Sequence, residues 1–363
     1  MPKLRDLGIK IGHYKPGPLN TITDVVGTRV GHATLHYDEG MVVARTGVTA
    51  ILPCEDVFSY RPSAAAFVVN GTGELTGIAE LNRFGRLSMP ILLTDTSNVG
   101  RVYDGAITYM IKSYPHVGTM HHVVLPVVGE VDNSALNNSR YRHVMDADVV
   151  KAIESAQTGP VLEGAVGAGT GSIAFGFKSG IGTSSRYLPN EEGGFTIGAL
   201  VLSNHSHRDE LLIDGVPVGR EIVDLMPQFY TPEGSIIIIL ATDAPLEHRQ
   251  LIEMAKRAIV GLARTGSTIR NNSGDFILAF SSTNVISYFS KQSIVLQKTL
   301  ADRDEILNPI FRATSEVTEE AIINALTCAE TTIGRNGNTA HAIPLDQLVE
   351  VMRKYNRSGA IKR

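Results

Sequence analysis

Five consecutive residues, Ile236-Ile237-Ile238-Ile239-Leu240, are apolar, and four of them are β-branched. β-Branched side chains are stiff in helices and pack well on a pleated surface. An apolar run without polar alternation fits a strand covered on both faces. The chain therefore needs material on either side of at least one sheet. Comparable runs at residues 66–69, 91–93, 123–125, 197–202 and 276–280 are likewise predicted as buried strands.

Two helices are legible by apolar spacing. Residues 245–264 carry Leu251, Ile252, Ala255, Ile259 and Leu262 at intervals of three and four, with Pro245 suited to a first turn. Residues 318–332 carry Ala321, Ile322, Ala325, Leu326 and Ala329 on one stripe. Thr318 is the expected N-cap, Glu319 and Glu320 sit in the first turn, and Gly334 closes the helix. Strands mixed with helices throughout, and no evident linker, predict one layered α/β or α+β unit. A pair of sheets between helix layers is compatible, as is an open sheet.

The 363 residues carry a net charge of −4, with no basic run, which argues against nucleic acid as a partner. Cys54 and Cys328 have no metal or disulfide spacing and read as reduced thiols. No apolar run reaches the ~20 residues of a membrane helix. The first ten residues hold no apolar signal region, so the expected location is cytoplasmic.

Gly234 and Ser235 stand directly before the isoleucine run. Such a pair is by itself a common turn. Cleavage between them would leave Ser235 with a hydroxyl nucleophile and a free α-amine at a strand edge. An α-amine titrates at about 7.7–8.0, so it can act as a base near neutrality.

Four other segments bear on this reading. Residues 265–275 form a polar loop that can bring Ser273 and Asp275 together, a second hydroxyl and a carboxylate to orient it. Asn204, at a strand end, can offer its amide to an oxyanion. His205 and His207 lack further metal ligands and are expected as solvent-exposed loop residues. Gly164, Gly167, Gly169 and Gly171 lack both the dinucleotide order and a P-loop lysine, so they are expected to form a structural loop lining a site. Glu130 follows a predicted strand and can receive an ammonium group.

Several motifs, taken in order, resemble the self-processing serine peptidases of the L-aminopeptidase/D-esterase (DmpA) family, which includes the β-peptidyl aminopeptidases. They are residues 16–25 with Val30-Gly31-His32, Asn70-Gly71-Thr72-Gly73-Glu74, residues 163–171, residues 215–219, Gly234-Ser235 with residues 241–245, and Ser273-Gly274-Asp275. The resemblance implies a four-layer α/β/β/α sandwich, like N-terminal-nucleophile hydrolases but with its own connectivity. It implies one domain, 1–363, cut between Gly234 and Ser235 into chains 1–234 and 235–363, and an oligomer of such units. It implies hydrolysis of the N-terminal residue from small peptides, amides or esters, without metal or cofactor.

By position, Ser235 matches the nucleophile, Ser273 the second serine, Asn204 the oxyanion asparagine and Glu130 the acid that binds the substrate amine. Asp275 falls where the family often has glutamate. Aromatic residues common after the family's amine-binding acid are replaced here by Val131, Asp132, Asn133, Ser134 and Ala135. Two alternatives stand beside this reading. One is an acyltransferase resembling ornithine acetyltransferase, whose new terminus is threonine; the other is an uncut binding protein of the same fold.

Overall fold

The computed structural model describes residues 1–119, 123–230 and 234–357. Its strands are β1 (Arg29–Glu39), β2 (Val42–Leu52), β3 (Tyr60–Gly71), β4 (Ile91–Asp95), β5 (Val127–Val131), β6 (Ile173–Ala174), β7 (Phe177–Lys178), β8 (Ile181–Tyr187), β9 (Thr196–Asn204), β10 (Ser235–Thr242), β11 (Gly274–Ser287), β12 (Thr332–Ile333) and β13 (Thr339–Ala340). The α-helices are α1 (Ile78–Phe84), α2 (Val99–Ser113), α3 (Asp146–Glu154), α4 (Val218–Glu221), α5 (His248–Arg264), α6 (Asp304–Thr327) and α7 (Leu345–Lys354). One sheet has the order β1-β2-β4-β5 and the other β3-β11-β10-β9-β8.

Strand β10 shows why the molecule has four layers. Ile236, Ile238 and Leu240 pack with Leu251, Met254 and Ala258 of α5 and with Val317 and Ala321 of α6. Ile237, Ile239 and Ala241 pack with Ile51, Ile91, Leu93 and Val127 of the other sheet. That second sheet turns Ala50, Leu92 and Val128 outward onto Val102 and Ala106 of α2 and Ala152 of α3. Side chains alternate across a strand, so an unbroken apolar run serves two cores at once. The result is the α/β/β/α sandwich.

Three local expectations need correction. The residue 123–125 run is not strand: β5 begins at Val127, and Val123 is 74 % exposed. Pro126 intervenes, and proline has no N–H to offer a ladder. The residue 66–69 segment lies in β3, but Val68 is exposed because β3 is an edge strand.

The third correction concerns α6, which starts at Asp304 and not at Thr318. Ile310, Ala313 and Val317 extend the apolar stripe toward the N-terminus. Thr318 is buried within the helix, its hydroxyl donating to the Thr314 carbonyl at 2.8 Å. Glu320 is a counter-ion to the buried Arg186 (2.6 Å) and to Arg5 (2.8 Å), not a first-turn acid in water. The helix ends at Thr327 with Cys328 as its C-cap, and Gly334 caps the following 3-10 turn. Helix α5 begins at His248, after Pro245, with the Glu247 carboxylate accepting from the Arg249 N–H at 3.0 Å. Both cysteines are free. No described helix is long and apolar enough to cross a membrane.

Candidate active site

Ser235 is the first residue of β10, in the middle of the five-stranded sheet. It pairs with Asn204, the last residue of β9, on one side and with Gly274, the first of β11, on the other. Its neighbours are set by register alone, because β9 runs antiparallel and β11 parallel to β10. Ser235 is only 6 % exposed. The Gly274 N–H donates to Ser235 Oγ at 3.3 Å and to the Gly234 carbonyl at 3.2 Å. One backbone donor thus faces both the hydroxyl and the carbonyl of the preceding peptide bond.

The fit around this point is close. A Cβ at Gly234 would stand 1.8 Å from the Asn204 carbonyl oxygen, and one at Gly274 would stand 2.5 Å from the Thr72 oxygen. Side chains at either position would push the strands apart. Residues 231–233, just before Gly234, lie outside the described residues.

Ser273 ends the polar loop, and its hydroxyl donates to Asp275 Oδ1 at 2.8 Å. The loop is pinned to β3 by Asn70 Nδ2, which donates to the Arg270 carbonyl at 2.8 Å. The β11–β3 ladder shifts register between Asp275 and Phe276. Such bulges re-aim side chains. Asp275 is 2 % exposed and its Oδ2 has no hydrogen-bond partner. Burial raises its carboxyl to about 6, against the opposing bond from Ser273.

Asn204 is held at both ends of its amide. Oδ1 accepts from the Ile173 N–H at 2.8 Å, and Nδ2 donates to the Asp132 carbonyl at 2.8 Å. An amide nitrogen has two hydrogens, so one stays available beside Ser235. Glu130, in β5, is buried; Oε1 accepts from the Glu74 N–H at 2.9 Å and Oε2 from the Thr96 hydroxyl. Burial raises its carboxyl, with the charges of Asp132 and Asp95 adding to this and the two bonds opposing it. A Cβ at Gly73 would stand 2.9 Å from Glu130 Oε1 and 3.3 Å from the Gly274 Cα, so the acid lies close to the head of β11.

The structure thus joins Ser235, Asn204 and Gly274 by register, Ser273 and Asp275 by a hydrogen bond, and Glu130 through the Gly73 contact. The histidine expectation fails for His205, which is buried, packs edge-on to Phe175, and is pushed down to about 3 by burial. Strand β9 ends at Asn204, so both histidines follow the strand. His207 is half-buried, beside Asp209 at 3.0 Å.

The glycine-rich loop folds into a buried 3-10 turn over Gly167–Gly171, which leads to Ile173 and hence to Asn204. Sequence reasoning missed Thr96 and the Ile173 amide, because neither has a motif. It also missed a cavity of about 240 Å³ lined by Ser134, Ala135, Phe229, Tyr230, Arg335 and Asn336. Its aromatic walls come from the segment before Gly234, not from the loop after Glu130. Their closeness to Gly234-Ser235 in sequence was the available signal.

The α/β/β/α sandwich, with a hydroxyl at the head of its central strand, has the layering of the N-terminal-nucleophile hydrolase fold. Residues 20–340 match Peptidase family S58. The chain is 40 % identical to the β-peptidyl aminopeptidase BapA of Sphingosinicella xenopeptidilytica, over 97 % of this chain and 91 % of that protein. A crystal structure of a protein from Pyrococcus horikoshii OT3 superimposes with a TM-score of 0.92 at 45 % identity, covering 98 % of this chain and 100 % of the other. The L-aminopeptidase D-Ala-esterase/amidase of Ochrobactrum anthropi, described as a prototype serine aminopeptidase with a variant of the Ntn hydrolase fold, also gives 0.92 at 38 % identity, covering 99 % and 100 %. The chain belongs to peptidase family S58, the family its motifs resemble, and is a serine-type aminopeptidase.

Proposed function

We propose that the chain cuts itself between Gly234 and Ser235, and that the products 1–234 and 235–363 stay together as one domain that removes N-terminal residues from small peptides, amides or esters. The observation carrying this is the alignment of Asn204, Ser235 and Gly274 across three adjacent strands, with the Ser273–Asp275 pair at their head. In maturation, Ser235 Oγ attacks the Gly234 carbonyl carbon. The peptide nitrogen leaves as the amine and takes a proton; water then hydrolyses the ester. The Gly274 N–H, 3.2 Å from that carbonyl oxygen, supports the charge that develops on it.

In turnover, Ser235 Oγ attacks the substrate carbonyl and passes its proton, with Ser273 as relay, to its own α-amine, which hands it to the departing amine or alcohol; water then hydrolyses the acyl ester on Ser235 and frees the hydroxyl. Asp275 holds the Ser273 hydroxyl, and Asn204 donates to the oxyanion. Glu130 binds the substrate's ammonium group, which confines cleavage to the first residue. The named relative supports including β-aminoacyl amides among the substrates. Association of several two-chain units fits the family resemblance.

Mass spectrometry of the purified protein tests the reading. A fragment starting at Ser235 is expected from the wild type, and an intact, inactive 363-residue chain from Ser235→Ala. Normal two-fragment processing in Ser235→Ala would end the mechanism.

A further inference from the structure

Lys178, on β7, is fully buried, and no described carboxylate pairs with it. Buried charges are ordinarily paired, because desolvation is expensive. Here the partners are three carbonyl oxygens: Gly169 at 3.1 Å, Ser172 at 2.9 Å, and Ser179. An ammonium has three donors and a neutral amine only two, so this set fits the charged form. Burial pushes the group down to about 7.

Two of these carbonyls, Gly169 and Ser172, belong to the glycine-rich turn and its exit, and the third, Ser179, follows Lys178 in the chain. The Ser172 carbonyl shares a peptide unit with the Ile173 N–H, and that N–H donates to Asn204 Oδ1 at 2.8 Å. Ile173 is also paired with Lys178 across the β6–β7 ladder. A continuous path therefore runs from the ammonium through one peptide unit to the asparagine amide beside Ser235. A cation on the carbonyl makes the N–H of the same peptide a stronger donor. That donor in turn polarises the Asn204 side chain, so its free amide hydrogen becomes more positive. Hydrogen bonds in chains reinforce one another in this way where the dielectric is low.

We propose that Lys178 is a positioning residue of the oxyanion site, acting through the Ser172–Ile173 peptide to hold and polarise Asn204. This rests on Asn204 being the oxyanion donor.

A double-mutant cycle on the full-length, self-processed protein tests it, with alanyl p-nitroanilide as substrate and rates counted per Ser235 terminus found by mass spectrometry. Asn204→Ala is expected to lower kcat by about 10²–10³-fold. Lys178→Met is expected to lower kcat about tenfold with KM within about twofold, since part of one donor's strength is lost in the transition state only. Added to Asn204→Ala, it is expected to cost nothing more. Should Lys178→Met give no folded protein, Lys178→Gln, which keeps two donors without the charge, carries the same cycle. Undiminished kcat in the lysine variant, or an equal loss in the Asn204→Ala background, overturns the proposal. Undiminished kcat in Asn204→Ala alone overturns instead the reading on which it rests.

Discussion

Asp275→Asn is expected to make stability depend on pH differently from the parent while impairing turnover, and the size of the difference follows from the site. Asp275 Oδ1 takes the Ser273 hydroxyl at 2.8 Å, but Oδ2 has no partner. Burial outweighs that bond and moves the carboxyl from 3.8 to about 6. The folded protein thus holds this proton more tightly than the unfolded chain. The associated stability is fully present below pH 3.8 and is lost as pH rises through about 6. At ~1.36 kcal/mol per pH unit, the loss is about 3 kcal/mol. An asparagine cannot ionise and escapes it. Its NH₂ replaces an oxygen with no partner, at a cost of about 1–3 kcal/mol that does not vary with pH.

The telling quantity is therefore the change with pH, not the gap at one pH. Urea unfolding should be measured at pH 4 and pH 8 in a Ser235→Ala background, so that both chains stay uncut. The stability of Asp275→Asn relative to its parent should rise by about 2.5 kcal/mol between these values, mostly between pH 4 and 6. In the processing background the same substitution should slow turnover, because Ser273 loses a charged acceptor. A gap independent of pH would refute the account of Asp275 as a desolvated carboxylate.

Three other outcomes follow from the site. Glu130→Gln should raise KM for alanyl amides with a smaller effect on kcat, since it removes the charge that meets the substrate ammonium; steady-state kinetics decide this. Because burial raises the Glu130 carboxyl, wild-type KM should itself climb as pH falls through that raised value, and the variant's should not. Gly234→Ala should block or greatly slow self-cleavage, because the new methyl would meet the Asn204 carbonyl at 1.8 Å; the fraction of intact chain on a denaturing gel over time measures it.

How much of this was legible beforehand differs between elements. The strands at residues 197–202, 236–240 and 276–280 could be read because β-branched and aromatic residues in short runs suit a pleated, doubly covered surface. Helix α6 was misread because its buried acids look like first-turn acids. Only the fold reveals that Arg186 waits for Glu316 and Glu320. Asn204 and Glu130 were named from motif position, and nothing near them in sequence specified a partner.

The amino-acid order by itself determined the layered class, the glycine–serine junction at a strand head, and the hydroxyl–carboxylate pair two residues apart. These are local properties, carried by propensity, period and short spacing. The fold alone decided that Asn204 and Gly274 flank Ser235, that Glu130 faces Gly73, and that Lys178 reaches the carbonyl behind Asn204. Each joins residues distant in the chain, or depends on which carbonyls a buried group meets. Strand register and close packing set those meetings, and neither has a signature in any single segment.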